Sequence, residues 1–147
     1  MKTLLSWSSG KDSAWALHVL QQQHPGSVAG LLTTINEAVQ RVAMHAVRRD
    51  VLEAQARAAG QPLRIVAIPD PCSNQEYEAR MRACVADAVA EGFTHMAFGD
   101  LFLENVRRYR ETLLADIGLS PLFPLWQMPT PRLAAAMIAG GLRARVA

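Results

Sequence analysis

A short run near the amino terminus, SSGKDS at positions 8–13, has the composition of an anion-binding turn. It directly follows an apolar run, Thr3 to Trp7, and directly precedes a helical pattern, Ala14 to Leu20. A strand that breaks on a Ser/Gly turn and restarts as a helix directs backbone N–H groups, hydroxyls and the positive helix end at one place. The sequence therefore predicts a phosphate-binding site at this turn.

The residues of this turn exclude two better-known phosphate-binding loops. A Walker A loop requires Gly five positions before its Gly-Lys pair and Ser or Thr directly after it, but Leu5 and Asp12 occupy these places. A dinucleotide-binding fingerprint requires three spaced glycines, and this turn has only Gly10. The remaining alternative is a plain helix N-cap, because Asp and Ser side chains accept hydrogen bonds from the first N–H groups of a helix. We favour the phosphate site, because ligands of α/β chains lie at the carboxyl ends of strands.

A second candidate cluster begins with Gly99 and Asp100, directly after the fourth apolar run. A carboxylate at that position is suited to hold Mg²⁺ against the phosphates of a nucleotide, and its alternative role is that of a turn or N-cap residue. Three arginines follow, Arg107, Arg108 and Arg110, and guanidinium groups bind phosphate in forked geometry. Arginines so close together on one helix cannot all face one ligand, so we expect at least one to be a surface charge.

Two further segments carry candidate residues. His45, within RVAMHAVR at 41–48, is a candidate general acid or phosphate contact, and its alternative role is structural. The stretch PLFPLW at 121–126 is suited either to the wall of an acceptor site or to a packed connection.

The elements that must position these residues alternate between strand-like and helical patterns. Strands are predicted at Thr3–Trp7, Val28–Thr34, Leu63–Ile68 and His95–Phe98. Helices are predicted at about 47–59, 74–91 and 103–117, and a last helix has Thr130 as its N-cap and ends at Gly140. Ser73 and Glu76 have capping-box spacing at the start of the helix at 74–91, and Gly118 follows the helix at 103–117 as a stop. Because the strand runs are apolar without strict alternation, both of their faces should be covered. The pattern predicts an α/β fold, with a mainly parallel sheet between two layers of helices.

Composition agrees with one globular domain spanning 1–147. Half of the 147 residues are hydrophobic and the net charge is only +2, which is too small to argue for a nucleic-acid partner. Cys72 and Cys84 have no CxxC partner, so neither a zinc site nor a disulfide framework is predicted. We expect a cytoplasmic protein, because no apolar run approaches the roughly 18 residues of a membrane span. Leu142 to Val146 reads as the opening of another strand, so we expect either a truncated chain or a short family member.

The turn resembles the SGGxDS signature of the PP-loop ATP pyrophosphatases, which cleave ATP between the α and β phosphates. Four segments in order, SSGKDS, RVAMHAVR, GDLFLENVRRYRE and PLFPLW, resemble the diphthine-ammonia ligase family and its bacterial relatives. The resemblance implies a Rossmann-like, three-layer adenine nucleotide α-hydrolase fold. It also implies a reaction in which ATP adenylates a carboxylate that ammonia then attacks to give an amide, with ATP and Mg²⁺ as cofactors.

The resemblance also implies roles for individual residues. The ATP-binding set is Ser8, Ser9, Gly10, Lys11, Asp12, Ser13, Leu32, Thr33, Thr34, His45 and Gly99. The catalytic set is Lys11, Asp12, Asp100 and Glu104, with Asp100 also as the metal ligand. The partners implied are ATP and an unidentified carboxylate acceptor, free or carried by a protein. Nucleic acid and membranes are not expected, and the choice between monomer and homodimer stays open.

The chain departs from the family at three places. Ser9 and Ala46 stand where relatives commonly carry glycine, and the later Gly-Glu-Asn-Gly-Glu-Phe-His-Thr motif, which helps to form the acceptor site, does not occur. The departures leave two alternatives open beside the ligase. One is a tRNA-modifying PP-loop adenylating enzyme, and the other is a nucleotide-binding module without full catalysis.

Overall fold

A computed structural model describes residues 1–43 and 45–145 of the chain. The strands are β1 (Thr3–Ser6), β2 (Val28–Asn36), β3 (Arg41–Val42), β4 (Leu63–Ile68), β5 (His95–Ala97) and β6 (Ser120–Leu122). The helices are α1 (Lys11–Gln23), α2 (Arg49–Ala58), α3 (Asn74–Ala90), α4 (Glu104–Ile117) and α5 (Thr130–Ala139). Within the described residues, no helix combines the length and apolar character that crossing a membrane requires.

The sheet is mainly parallel, and its strand order places the candidate loops side by side. β1 pairs with β2 on one edge and with β5 on the other, β4 extends the sheet beyond β2, and β6 extends it beyond β5, all in parallel. Along the chain, strands are therefore added first on the β2 side of β1 and then on its β5 side. In such sheets, ligands bind outside the carboxyl ends of the strands where this direction reverses, which here is between β1 and β5.

The short strand β3 lies above the end of β1. β4 occupies one edge of β2 from Leu31 to Asn36, and β1 occupies the other edge only as far as Leu32. β3 pairs antiparallel with Ile35 and Asn36, so it must use the edge that β1 leaves free. The turn that follows β3 is thereby brought over the carboxyl end of β1.

Two layers of helices cover the sheet, as the apolar strand runs predict. Leu4 and Leu5 are adjacent in β1, and both are fully buried because they point to opposite faces. One face packs against α1, α2 and α5, and the other packs against α3 and α4. Full burial of each such leucine stabilises the fold by roughly 1.5–3 kcal/mol. The predicted Rossmann-like three-layer α/β fold is confirmed.

The N-cap predicted from the sequence is confirmed for α3 and wrong for α5. The Ser73 hydroxyl accepts a hydrogen bond of 3.1 Å from the Glu76 N–H, as capping-box spacing predicts. In α5, however, Thr130 is already helical and the N-cap is Pro129. Since Pro131 has no N–H, it fits the second helical position as well as the first.

The predictions for the two connections near the end of the chain were incomplete. The strand predicted from Leu142 does not form over 142–145, and Val146 lies outside the described residues. Conversely, residues 120–122 form β6 despite Pro121. Within the part of the chain that the structure describes, β6 pairs with β5 and with no other strand. A proline is tolerated in such an edge strand because its missing N–H faces away from the sheet.

Candidate nucleotide-binding site

The turn after β1 is held in a left-handed conformation at Ser9, which has φ +67°. Such a conformation costs a non-glycine residue about 1–2 kcal/mol. The side chain of Gln55, from α2, fixes the turn: its Oε1 accepts from the Trp7 indole N–H at 3.0 Å and its Nε2 donates to the Ser9 carbonyl at 3.4 Å. The Ser9 hydroxyl oxygen is buried and has no hydrogen-bond partner among the described residues.

No side chain of the described residues caps the first turn of α1. The N-cap is Gly10, with extended backbone, and it carries no capping group. Asp12 bonds instead to the Lys11 ammonium at 2.9 Å, and the buried Ser13 hydroxyl donates to the Gly10 carbonyl at 3.0 Å. The plain N-cap alternative is therefore not what forms. The first-turn N–H groups at 11–13 have no protein partner in the described part of the chain, so they are available to an anion.

Gly99 brings the end of β5 against this first turn. A Cβ on Gly99 would lie 3.2 Å from the carbonyl carbon and oxygen of Asp12 and 3.3 Å from the Ser13 nitrogen. All three are backbone atoms, which cannot rotate away. This contact brings the loop that carries Asp100 against the turn after β1.

His45 lies over the same turn. Its Nε2 is 3.3 Å from the position that a Cβ on Gly10 would occupy, and the His45 side chain is exposed. The turn that carries it contains a second left-handed residue, Ala46, with φ +55°. A ligand on Ser9 and Gly10 would therefore meet the imidazole, although the role of His45 stays a prediction.

Asp100 is engaged by an arginine. Its Oδ2 lies 2.7 Å from Arg110 Nε, close but outside hydrogen-bond alignment, and the two side chains are only 22% and 28% exposed. The Arg110 guanidinium also lies 4.3 Å from the centre of the Phe98 ring. Arg110 thus neutralises the carboxylate that sequence reasoning assigned to Mg²⁺. In the described residues no three His, Cys, Asp or Glu side chains converge on a metal position.

The other two arginines differ from each other. The Arg107 guanidinium lies 4.4 Å from the Phe123 ring and 4.7 Å from the Trp126 ring, and its Nε donates to Glu111 at 3.1 Å. Arg108 is exposed and has no charged partner within the described residues. These different surroundings agree with the expectation that the three arginines do not all face one ligand. Sequence reasoning missed the stack of Arg107 on Phe123 and Trp126, whose only signal was two aromatic residues in a proline-bounded turn.

Glu104 opens α4 and is exposed. It borders a shallow pocket of about 350 Å³ with Arg107, Arg108, Glu111 and Trp126. This pocket shares no lining residue with the larger cleft beside the turn after β1. The catalytic role of Glu104 stays a prediction.

The predicted adenine-binding residues of β2 use their polar groups to hold neighbouring loops. The Leu32 carbonyl accepts from the Trp7 N–H at 2.8 Å, and the Thr33 hydroxyl donates to the Trp7 carbonyl at 2.7 Å. The Thr34 carbonyl accepts from the Ala43 N–H at 3.0 Å. These bonds position the turn after β1 and the turn that carries His45, and contact with adenine or ribose stays a prediction.

A cleft of about 1160 Å³ opens beside the turn. Its lining includes turn residues, one side of α2, the turn after β3 and residues 141–145. Sequence reasoning did not predict this cleft, since its walls come from four separate segments.

Cys72 and Cys84 are the cysteines of the chain. Both are partly buried and free. Burial is the main cause that raises the pKa of the Cys84 thiol, with Arg64 opposing it. A raised pKa leaves less of the nucleophilic thiolate at neutral pH.

Comparisons with known proteins agree with this fold. The profile of the family described as "Diphthamide synthase N-terminal domain" matches residues 1–121. Among solved structures, a predicted subunit of tRNA methyltransferase from Methanocaldococcus jannaschii superposes with a TM-score of 0.55 at 16% identity, covering 92% of this chain and 75% of that one. At this identity the likeness concerns the fold. No curated protein matches the chain.

Proposed function

We propose that this chain, which belongs to the diphthamide synthase N-terminal domain family, binds ATP. It uses the ATP to adenylate a carboxylate, which then forms an amide with ammonia. The observation that carries the proposal is the uncapped first turn of α1, at the place where the strand order reverses. A helix start without a protein cap, facing a crevice, suits the phosphates of a nucleotide.

The reaction needs activation, because hydroxide is a poor leaving group and a free carboxylate does not react with ammonia at neutral pH. A carboxylate oxygen attacks the α-phosphorus of ATP, the bond from that phosphorus to the bridging oxygen breaks, and pyrophosphate leaves. Ammonia then attacks the acyl carbon, AMP leaves with the former carboxylate oxygen, and the added nitrogen loses a proton. No residue of the chain needs to become covalently attached.

The residues of the site have roles that suit this reaction. The N–H groups at 11–13 and the Lys11 ammonium would bind phosphate oxygens and stabilise the charge on the leaving pyrophosphate. His45, whose Nε2 lies 3.3 Å from the position of a Cβ on Gly10, would donate a hydrogen bond or a proton to a phosphate oxygen.

Mg²⁺ fits this site only if the nucleotide supplies most of its ligands. Magnesium in such sites takes one or two carboxylates and several phosphate or water oxygens, and it neutralises phosphate charge. Asp12, in the first turn of α1, and Asp100 are the carboxylates that would contribute. Asp100 would do so beside Arg110, whose Nη2 donates to its Oδ1 at 3.4 Å.

The test is to titrate ATP by calorimetry and to measure AMP and pyrophosphate release with Mg²⁺, ammonia and a panel of carboxylates. We expect ATP binding that Lys11→Ala weakens about tenfold, a loss of about 1.4 kcal/mol. Lys2→Ala is the matched control: Lys2 is the other lysine of the chain and lies at the amino end of β1. Absence of ATP binding contradicts the proposal. Binding without AMP release, under every condition, identifies a nucleotide-binding module instead.

A further inference from the structure

The cleft beside the phosphate turn is positively charged on several walls. Its lining contains five cationic side chains, Lys11, Arg41, Arg48, Arg143 and Arg145, together with His45. No Asp or Glu is among the described residues that line it. The whole chain has a net charge of only +2. The positive charge is therefore concentrated on this cleft, which favours an anionic occupant.

The guanidinium groups retain donors for a ligand. Arg41 Nη1 donates to the Ala46 carbonyl at 2.8 Å, and this bond uses one of its five N–H groups. Arg48 Nε lies 3.5 Å from Asp50, but both side chains are more than 60% exposed, so solvent weakens this pair. Arg143 and Arg145 are exposed and have no charged partner among the described residues.

The size and the walls of the cleft indicate more than a phosphate tail. Apolar side chains line it between the arginines, among them Val51, Ala58 and Leu142. Pockets for small molecules have volumes of about 300–1,000 Å³, and this cleft, at about 1160 Å³, is of that order. All four of its arginines lie outside the turn that would hold the nucleotide: Arg41, Arg48, Arg143 and Arg145. Two of these, Arg143 and Arg145, also lie beyond the residues that match the family.

We infer that the cleft binds the acceptor, and that the acceptor is a small molecule with at least two anionic groups and an apolar portion. One carboxylate would reach the α-phosphate beside Gly10, while a second anionic group would be held by Arg48 and Arg143. The inference rests on the proposed function for its choice of acceptor over other anions. The anion site itself rests only on the charge and shape of the cleft.

The test uses citrate as a multiply charged probe and acetate as a singly charged one. Each is titrated by calorimetry into the whole chain saturated with AMP, at constant ionic strength. The variant Arg48→Gln/Arg143→Gln removes one charge from each of two cleft segments, and both side chains are exposed, so the fold should persist. The matched control, Arg57→Gln/Arg132→Gln, removes two exposed arginines that do not line the cleft.

We expect citrate to bind well above acetate, and the cleft variant to bind citrate at least about tenfold more weakly, with the control unchanged. Undetectable citrate binding, or equal binding by the two double variants, overturns the inference. Citrate that binds the chain without AMP but not the AMP-saturated chain also overturns it, because the cleft would then belong to the nucleotide. ATP titration of the same samples decides the proposed function separately: a chain that binds citrate in the cleft but releases no AMP retains the anion site and loses the ligase.

Discussion

The imidazole of His45 lies over Gly10, with Nε2 3.3 Å from the position that a Cβ on Gly10 would take. The glycine is thus a spacer that lets the turn after β3 close onto the phosphate turn. Because His45 is exposed, it can rotate away from a larger residue at position 10.

We predict that Gly10→Ala lowers ATP affinity about tenfold while changing the free energy of unfolding by less than about 1 kcal/mol. The methyl group would displace His45 and intrude on the anion site. A double-mutant cycle with His45→Ala, read by calorimetry, separates the two effects. If His45 contributes to binding only from its present position, the two losses are less than additive. Additive losses would contradict the arrangement.

Ser9 and Ala46 occupy left-handed backbone, with φ +67° and +55°. Glycine relieves the steric cost there but adds freedom to the unfolded chain, so we predict that Ser9→Gly and Ala46→Gly each stabilise the fold by about 0.5–1 kcal/mol. Urea unfolding followed by circular dichroism measures the change. Ala54→Gly, within α2, is the control and should destabilise by about 1 kcal/mol. Destabilisation by the first two variants would show that the backbone is not left-handed at these positions.

Position 99 has no room for a side chain. A Cβ would meet backbone atoms of Asp12 and Ser13 at 3.2–3.3 Å, so Gly99→Ala should cost about 1–3 kcal/mol of stability. It should also weaken ATP binding, because the first turn of α1 would shift. Gly30→Ala is the matched control, since its Cβ would find its nearest neighbours at an ordinary 3.5 Å. Thermal unfolding of both variants decides the prediction: equal losses would show that the close approach at Gly99 does not matter.

The Asp100–Arg110 pair links the β5 loop to α4. Asp100→Asn leaves a partly buried arginine with a neutral partner, and we expect a loss of roughly 1–2 kcal/mol, reduced from the value for a fully buried pair because both groups are about a quarter exposed. A cycle with Arg110→Met, measured by urea unfolding, should give a coupling of about 1 kcal/mol. Zero coupling would mean that the carboxylate is free, and it would favour Asp100 as a metal ligand.

The Cys84 thiol should react slowly with thiol reagents. Burial raises the pKa of this group, so at pH 8 less of it is thiolate than in a free cysteine, and the reaction rate should continue to rise at higher pH. The variant Cys72→Ser isolates Cys84, and a pH series of labelling rates gives the apparent pKa. A pKa below that of a free cysteine would contradict the prediction.

The outcome of sequence reasoning depended on how local each signal was. The Ser73 capping box and the stop at Gly118, which has φ +92°, depend on a few consecutive residues, and the structure contains both. β3 has only two residues and no pattern of its own; it exists because β1 leaves one edge of β2 free. The Arg107 stack likewise requires α4 to pack against the turn after β6.

The sequence by itself determined the turn after β1, the strands β1, β2, β4 and β5, the helices and the α/β class, because turn chemistry and hydrophobic periodicity act over neighbouring residues. Only the tertiary structure decided that His45 covers Gly10, that Arg110 neutralises Asp100 and that Arg48 and Arg143 share one cleft. The first and third relationships join segments distant in the chain, and the second depends on how α4 packs beside the end of β5. Their contacts follow from strand order and helix packing, which the burial of the whole core selects.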